Sequence, residues 1–189
     1  MKHDTKKLSS GQTVDIFDDM YDFDEIVKFA VFFQNSFFKL EGKATPLLEE
    51  TYYPPTWKSI YSPSDIDNLG IFNNPNIRSI NEIIGDRKFV TAWVNCFTPC
   101  SIAYYHTDSL KIDNGKTFLY YGNTEWRREQ GGETMLYNSQ MNPEIVIEYK
   151  PNRVVVYDSD IPHKPLQHLP ASTPYRFTFI SLFKSTKES

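Results

Sequence analysis

His106, Asp108, His163 and Arg176 are the residues whose types and spacing allow chemistry in this chain. On an extended backbone, side chains two apart point to the same face, so His106 and Asp108 of Tyr104-Tyr105-His106-Thr107-Asp108 reach into one space. His163 comes much later, in Ile161-Pro162-His163, and a fold must bring it back to the first pair. Two imidazoles and one carboxylate on one face of an octahedron suit Fe(II) and leave the opposite positions open. Arg176 follows in the strand-like run Tyr175-Arg176-Phe177-Thr178-Phe179-Ile180. Its planar, permanently charged fork donates two parallel hydrogen bonds to a carboxylate. A lone HxD is common by chance; the ordered set of four carries the argument.

With GGETMLY at 131–137 between its parts, the order HxD, His, Arg resembles the Fe(II)- and 2-oxoglutarate-dependent oxygenases. The likeness is to the prolyl 4-hydroxylase branch, including the oxygen-sensing prolyl hydroxylases. YYGNTEW at 120–126, RVVVYDSDIPHKP at 153–165 and PYRFTFISLF at 174–183 are its most specific pieces, within residues 89–184. The resemblance implies that His106, Asp108 and His163 hold Fe(II), and that Arg176 holds the distal carboxylate of 2-oxoglutarate. Thr178 lies two along the same strand, and Tyr121 matches a tyrosine that helps with that carboxylate. Thr117 and Leu119 share the face of Tyr121 and are expected to line the pocket. One departure stands out: Phe97 replaces a tyrosine of the prolyl hydroxylases, and Tyr104, on the face of His106, is the candidate substitute.

The activity implied is hydroxylation of an aliphatic carbon in a prolyl or other peptidyl residue. Dioxygen is consumed, succinate and CO2 are released, and ascorbate is an optional accessory. A free amino acid or small metabolite as substrate is the second reading, and a catalytically silent jelly-roll binding module the third. The carboxylate of Asp108 favours hydroxylation over halogenation, because related halogenases have a small residue there. A zinc hydrolase would leave Arg176 without a role. Nucleobase demethylases carry a second arginine after the first, and only Lys184 and Lys187 follow Arg176.

Composition sets the frame for those residues. At 189 residues with 40% hydrophobic content, the chain is expected to form a single domain, long enough to bury a core. Twelve Tyr and fourteen Phe favour strands. A net charge of −4 gives no support to a nucleic-acid surface. No apolar run reaches the roughly 20 residues of a membrane span, the N-terminus has no apolar signal core, and a cytoplasmic location is expected. Cys96 and Cys100 lack the second pair of a zinc site and read as free buried thiols.

The elements that must position the four residues follow from periodicity. Residues 1–12 read as a loose, flexible end, with a first strand at 14–19. Ile26, Phe29, Ala30, Phe33 and Phe37 are spaced as on an amphipathic helix over 22–39, with a further turn at 65–69 and a helix at 76–85. Between them, the Pro-rich stretch 42–65 reads as a loop or lid, and 13–87 as the helical and lid region. From residue 88 the period becomes two, and eight short strands, one of them 103–107, suit a double-stranded β-helix (jelly-roll) core over 88–185, packed against N-terminal helices. Tyr53 and Trp57 in the lid, and Trp126 and Arg127 in the charged connection 123–130, are the candidates for substrate contact.

Overall fold

The computed structural model describes residues 1–41, 56–99, 101–169 and 175–185. Eleven strands occur among them: β1 (Lys2–Lys7), β2 (Thr13–Asp18), β3 (Lys39–Glu41), β4 (Thr56–Tyr61), β5 (Lys88–Phe97), β6 (Lys116–Tyr121), β7 (Thr134–Tyr137), β8 (Pro143–Ile147), β9 (Arg153–Asp158), β10 (His163–Pro165) and β11 (Arg176–Lys184). The helices are α1 (Phe23–Gln34), α2 (Pro63–Leu69) and α3 (Ile77–Ile84). An eight-stranded sheet runs β1-β2-β9-β6-β11-β5-β4-β3, and a three-stranded sheet runs β10-β7-β8. This is the expected jelly roll with flanking helices.

Strand alternation gives the large sheet two different faces. Along β11, Phe177 and Phe179 turn to the helices while Arg176, Thr178 and Ile180 turn to the small sheet. The outer core joins Phe29 and Phe33 of α1 to Tyr120 and Phe179, with Phe33 and Phe179 stacked at 5.8 Å between ring centres. The inner core packs Leu119, Val155 and Ile180 against Leu136, Ile145 and Ile147 of the small sheet. A capping box starts α1: the Asp22 carboxylate accepts from the Glu25 backbone, and Glu25 accepts from that of Asp22.

Four elements differ from the sequence reading. Residues 2–7 are not loose but form the edge strand β1, paired in register with β2. All six are exposed, so no hydrophobic pattern marks them, and the backbone ladder holds them. His3 is tied in as well, stacked on Phe17 at 4.2 Å and bonded to Asp15 at 3.0 Å. Within 13–87, β2, β3 and β4 join the large sheet, so that region is part of the β core as well as its helical cover. The helix expected to reach residue 39 stops at Gln34, and the chain becomes extended by Lys39 to pair with β4. The strand expected at 103–107 does not form; one backbone bridge, His106 to His163, takes its place.

The helix layer rests on few large side chains. Phe33→Ala is expected to destabilise the fold by about 3–5 kcal/mol, as truncation of a buried Phe does. Urea unfolding measures it, and a loss under about 1 kcal/mol is incompatible with the packing of α1 on β11.

Candidate metal centre and carboxylate pocket

His106 and Asp108 lie on an irregular connection after β5, and His163 opens β10. The backbone joins them. His106 N–H donates to the His163 carbonyl and His163 N–H to the His106 carbonyl, both at 2.9 Å. The Asp108 and Ser109 N–H groups both donate to the Ser159 carbonyl, at 2.9 and 3.1 Å. These four bonds set the three side chains at one point, with ligand atoms all within 4.8 Å of one another.

The imidazoles are oriented from behind. His106 Nδ1–H donates to the Tyr104 carbonyl at 3.2 Å, and His163 Nδ1–H to the Ile161 carbonyl at 3.0 Å. Each bond fixes the tautomer that leaves Nε2 as the free donor, the arrangement usual for metal-bound histidine. Burial, then the neighbouring His163, push His106 down to about 4, so its ring stays neutral near pH 7.

Asp108 is asymmetric in a useful way. Its Oδ2 accepts from the Thr117 hydroxyl at 2.7 Å and from the Tyr157 hydroxyl at 3.3 Å. Its Oδ1 lies 3.8 Å from His106 Nε2 and is the oxygen left for a metal. Tyr157 also stands 3.2 Å from His163 Nε2. A metal taking that lone pair would leave the hydroxyl to Asp108 alone. Tyr157 was not singled out in the sequence. Its place on the inner face two residues from Val155 was the available signal, but alternation alone does not reveal what it meets.

The second part of the site is a buried cation. Arg176 is 1% exposed, and its Nε and Nη1 have no hydrogen-bond partner. Among the described residues, Nη2 makes a long contact, 3.5 Å, to Thr134 Oγ1. Burial lowers its pKa. Its guanidinium carbon lies 4.8 Å from the Tyr149 ring centre, 5.5 Å from Phe97 and 5.9 Å from Tyr121, an aromatic box that favours a cation without neutralising it. A buried guanidinium with orphaned donors fits an incoming carboxylate. The donor set beside it fits Fe(II). Gly132 makes room: at φ +82°, its Cβ would come 3.1 Å from Arg176 Cδ and Nε.

The other sequence candidates divide. Thr178 and Tyr121 sit in register on the inner face, with the Tyr121 hydroxyl bonded to Thr134 at 3.0 Å. Leu119 is in the inner core, while Thr117 serves Asp108 and not the carboxylate pocket. Tyr104 is largely exposed and meets the site through its carbonyl. Trp126 is half-buried. It stands 4.5 Å from Tyr149, ring centre to ring centre, with Nε1–H donating to the Gly131 carbonyl, in the wall behind Arg176. Arg127 remains exposed. Trp57 pairs with Cys96, which pairs with Phe177, so it lies on the helix-side face and away from the metal donors. Tyr53 and Cys100 lie outside the described residues. Cys96 is a free, half-buried thiol, and burial pushes it up to about 11.

Residues 92–183 match the family of the 2OG-Fe(II) oxygenase superfamily. No curated protein sequence matches the chain. Among solved structures, a Trichoplax adhaerens prolyl hydroxylase, bound to a peptide fragment of the hypoxia inducible factor oxygen degradation domain, superposes with TM-score 0.65 at 18% identity, covering 90% of this chain and 82% of that one. A Pseudomonas putida prolyl-4-hydroxylase gives 0.60 at 14%, covering 92% and 93%. The alpha ketoglutarate dependent epimerase SnoN of nogalamycin biosynthesis gives 0.64 at 10%, covering 90% and 76%. At such identities the structural likeness speaks for the fold alone.

Thr117→Val should weaken Co(II) binding by about 10–100-fold, the usual cost of losing a partner of a metal ligand, with Tyr157→Phe costing less. Titration calorimetry measures both, and unchanged affinity in Thr117→Val would remove its hydroxyl from the support of Asp108. Arg176→Leu should keep the metal and lose roughly 1.5–3 kcal/mol of 2-oxoglutarate binding. Gly132→Ala should weaken 2-oxoglutarate binding in the same direction by moving Arg176, and an affinity equal to wild type would show that the guanidinium is not held by that approach.

Proposed function

We propose that this chain, whose residues 92–183 match the 2OG-Fe(II) oxygenase superfamily, belongs to it and hydroxylates an aliphatic carbon of a prolyl or other peptidyl residue. When bound, Fe(II) and 2-oxoglutarate supply the oxidative decarboxylation, to succinate and CO2, that is coupled to hydroxylation of a C–H bond by dioxygen. The protein's part is to orient and to exclude water. His106, Asp108 and His163 would hold the metal from one side and leave the other open. Arg176 would take the far carboxylate, relieving its own buried charge, with Thr178 and Tyr121 beside it. Leu119 and Ile180 pack the inner core next to that pocket, which limits water where the cosubstrate would lie.

The observation that carries the peptidyl reading is the open rim next to the metal donors. Ile102, Tyr104 and Tyr105, just before His106, are 56%, 44% and 38% exposed. A small metabolite calls for an enclosed, polar pocket, whereas an exposed apolar and aromatic rim suits an extended chain. The peptide seen with the Trichoplax relative is in keeping with such a mode.

Succinate formation by the Fe(II)-loaded protein, screened over proline-containing peptides and free amino acids, tests the reading. Peptides should stimulate turnover well above the uncoupled background. Stimulation by free amino acids alone would reject a peptidyl substrate. Iron bound in stoichiometric amount without any 2-oxoglutarate turnover would make the protein a binding module.

A further inference from the structure

Arg176 is a buried cation with unused donors, and its neighbours must keep it turned to the pocket. Three rings stand around it, and they are fixed in different ways. The Tyr121 hydroxyl is bonded to Thr134, and Phe97 has no hydroxyl. Tyr149 belongs to no strand but lies on the connection from β8 to β9, and it is 2% exposed. Its ring is the nearest of the three, with the centre 4.8 Å from the guanidinium carbon.

Tyr149 is tied through its hydroxyl as well as its ring. The hydroxyl donates to the Phe177 carbonyl at 2.6 Å, accepts from the Asn123 N–H at 3.3 Å and also meets Asn123 Oδ1. Phe177 follows Arg176 directly, and its own N–H donates to Asn123 Oδ1 at 2.9 Å. One phenol therefore fixes the backbone next to Arg176 and covers its side chain. The ring packs against Tyr121 and Trp126, at 4.4 and 4.5 Å between centres. Trp126 Nε1–H is held in turn by the Gly131 carbonyl, beside the close approach of Gly132 to Arg176 Cδ and Nε. A buried guanidinium without acceptors at Nε and Nη1 gains by turning to any acceptor within reach. A fixed aromatic face holds the cation and leaves its in-plane N–H donors for a carboxylate.

We propose that Tyr149 is the positioning residue of the cosubstrate site: its anchored ring holds the Arg176 guanidinium ready for the far carboxylate of 2-oxoglutarate. The inference rests on the assignment of Arg176 to that carboxylate and adds what keeps the arginine in place before the cosubstrate arrives. Preorganisation of this kind lowers the cost of binding without a new contact to the ligand. The effect of Tyr149 on 2-oxoglutarate must then pass through the guanidinium and leave metal binding alone.

Calorimetry of 2-oxoglutarate binding to the Co(II)-loaded protein tests this. Tyr149→Leu should weaken binding by roughly tenfold, as loss of a desolvated cation–π contact does, with Co(II) affinity unchanged. In an Arg176→Leu background the same substitution should cost nothing further, because the two residues act as one unit. Tyr149→Phe keeps the ring, loses the hydroxyl anchor and should fall between wild type and Tyr149→Leu. Fluorinated phenylalanines at position 149 nearly keep the size of the ring and withdraw charge from its face. The dissociation constant should therefore rise stepwise from Phe to difluoro- to trifluoro-phenylalanine, a series that stands even where Tyr149→Leu fails to fold. An affinity independent of fluorine count would overturn the inference and leave the role of Arg176 standing. So would a Tyr149→Leu loss of equal size with and without Arg176. Wild-type protein that binds Co(II) and no 2-oxoglutarate would sink both.

Discussion

The reciprocal pair of backbone hydrogen bonds between His106 and His163 is the constraint on which the site depends. His106, the first of the three candidate ligands, lies outside any strand, on an irregular connection. The bridge fastens it to the first residue of β10, which is itself fixed by its ladder with β7. The bonds from Asp108 and Ser109 to the Ser159 carbonyl continue the same seam. Backbone donors and acceptors buried together must be paired, so the seam is an energetic requirement as well as a geometric one. The Nδ1 bonds then turn both rings, and Thr117 and Tyr157 turn the carboxylate.

Arg176 follows the opposite logic. A side chain nearly free of solvent, charged and missing acceptors for Nε and Nη1 is costly in the ligand-free protein. Ring faces of Tyr149, Phe97 and Tyr121 offset part of that cost. The remainder favours whatever anion arrives. Phe97, at the position where the resemblance expects a tyrosine, offers a ring face to the guanidinium and no hydroxyl. The close approach of Gly132 keeps the guanidinium where the inner core ends.

The sheet divides stability from chemistry by alternation. Its outer face is apolar and is covered by α1 and the residues around α2 and α3. Its inner face is apolar beneath the small sheet and polar towards β11, β5 and β4, where Thr178, Asn95 and Lys58 lie in one row. Because the two cores share the strands β6, β9 and β11 and not their side chains, the site can carry orphaned polar groups while the outer face supplies the packing.

Much of this was legible in the sequence. The order of His106, Asp108, His163 and Arg176 carried the chemistry, because residue type limits what a metal or a carboxylate accepts. Period-two runs located most strands after residue 88, and the spacing of Ile26, Phe29, Ala30 and Phe33 located α1. Other features required the tertiary structure. β1 has no hydrophobic pattern, so only its ladder with β2 defines it. Residues 103–107 have strand-like composition, yet a single bridge to His163 was enough, and the ladder never extended. Trp57 was a candidate substrate contact by its type, and Lys58 is its neighbour in β4. Alternation states that the two point to opposite faces; which face holds the metal donors depends on pairing with β5, and a shift by one residue would exchange them. Tyr157 likewise meets Asp108 and His163 only because β9 lies between β2 and β6. Local periodicity sets the alternation of side chains, but register between distant strands sets its phase, and no segment by itself contains that information.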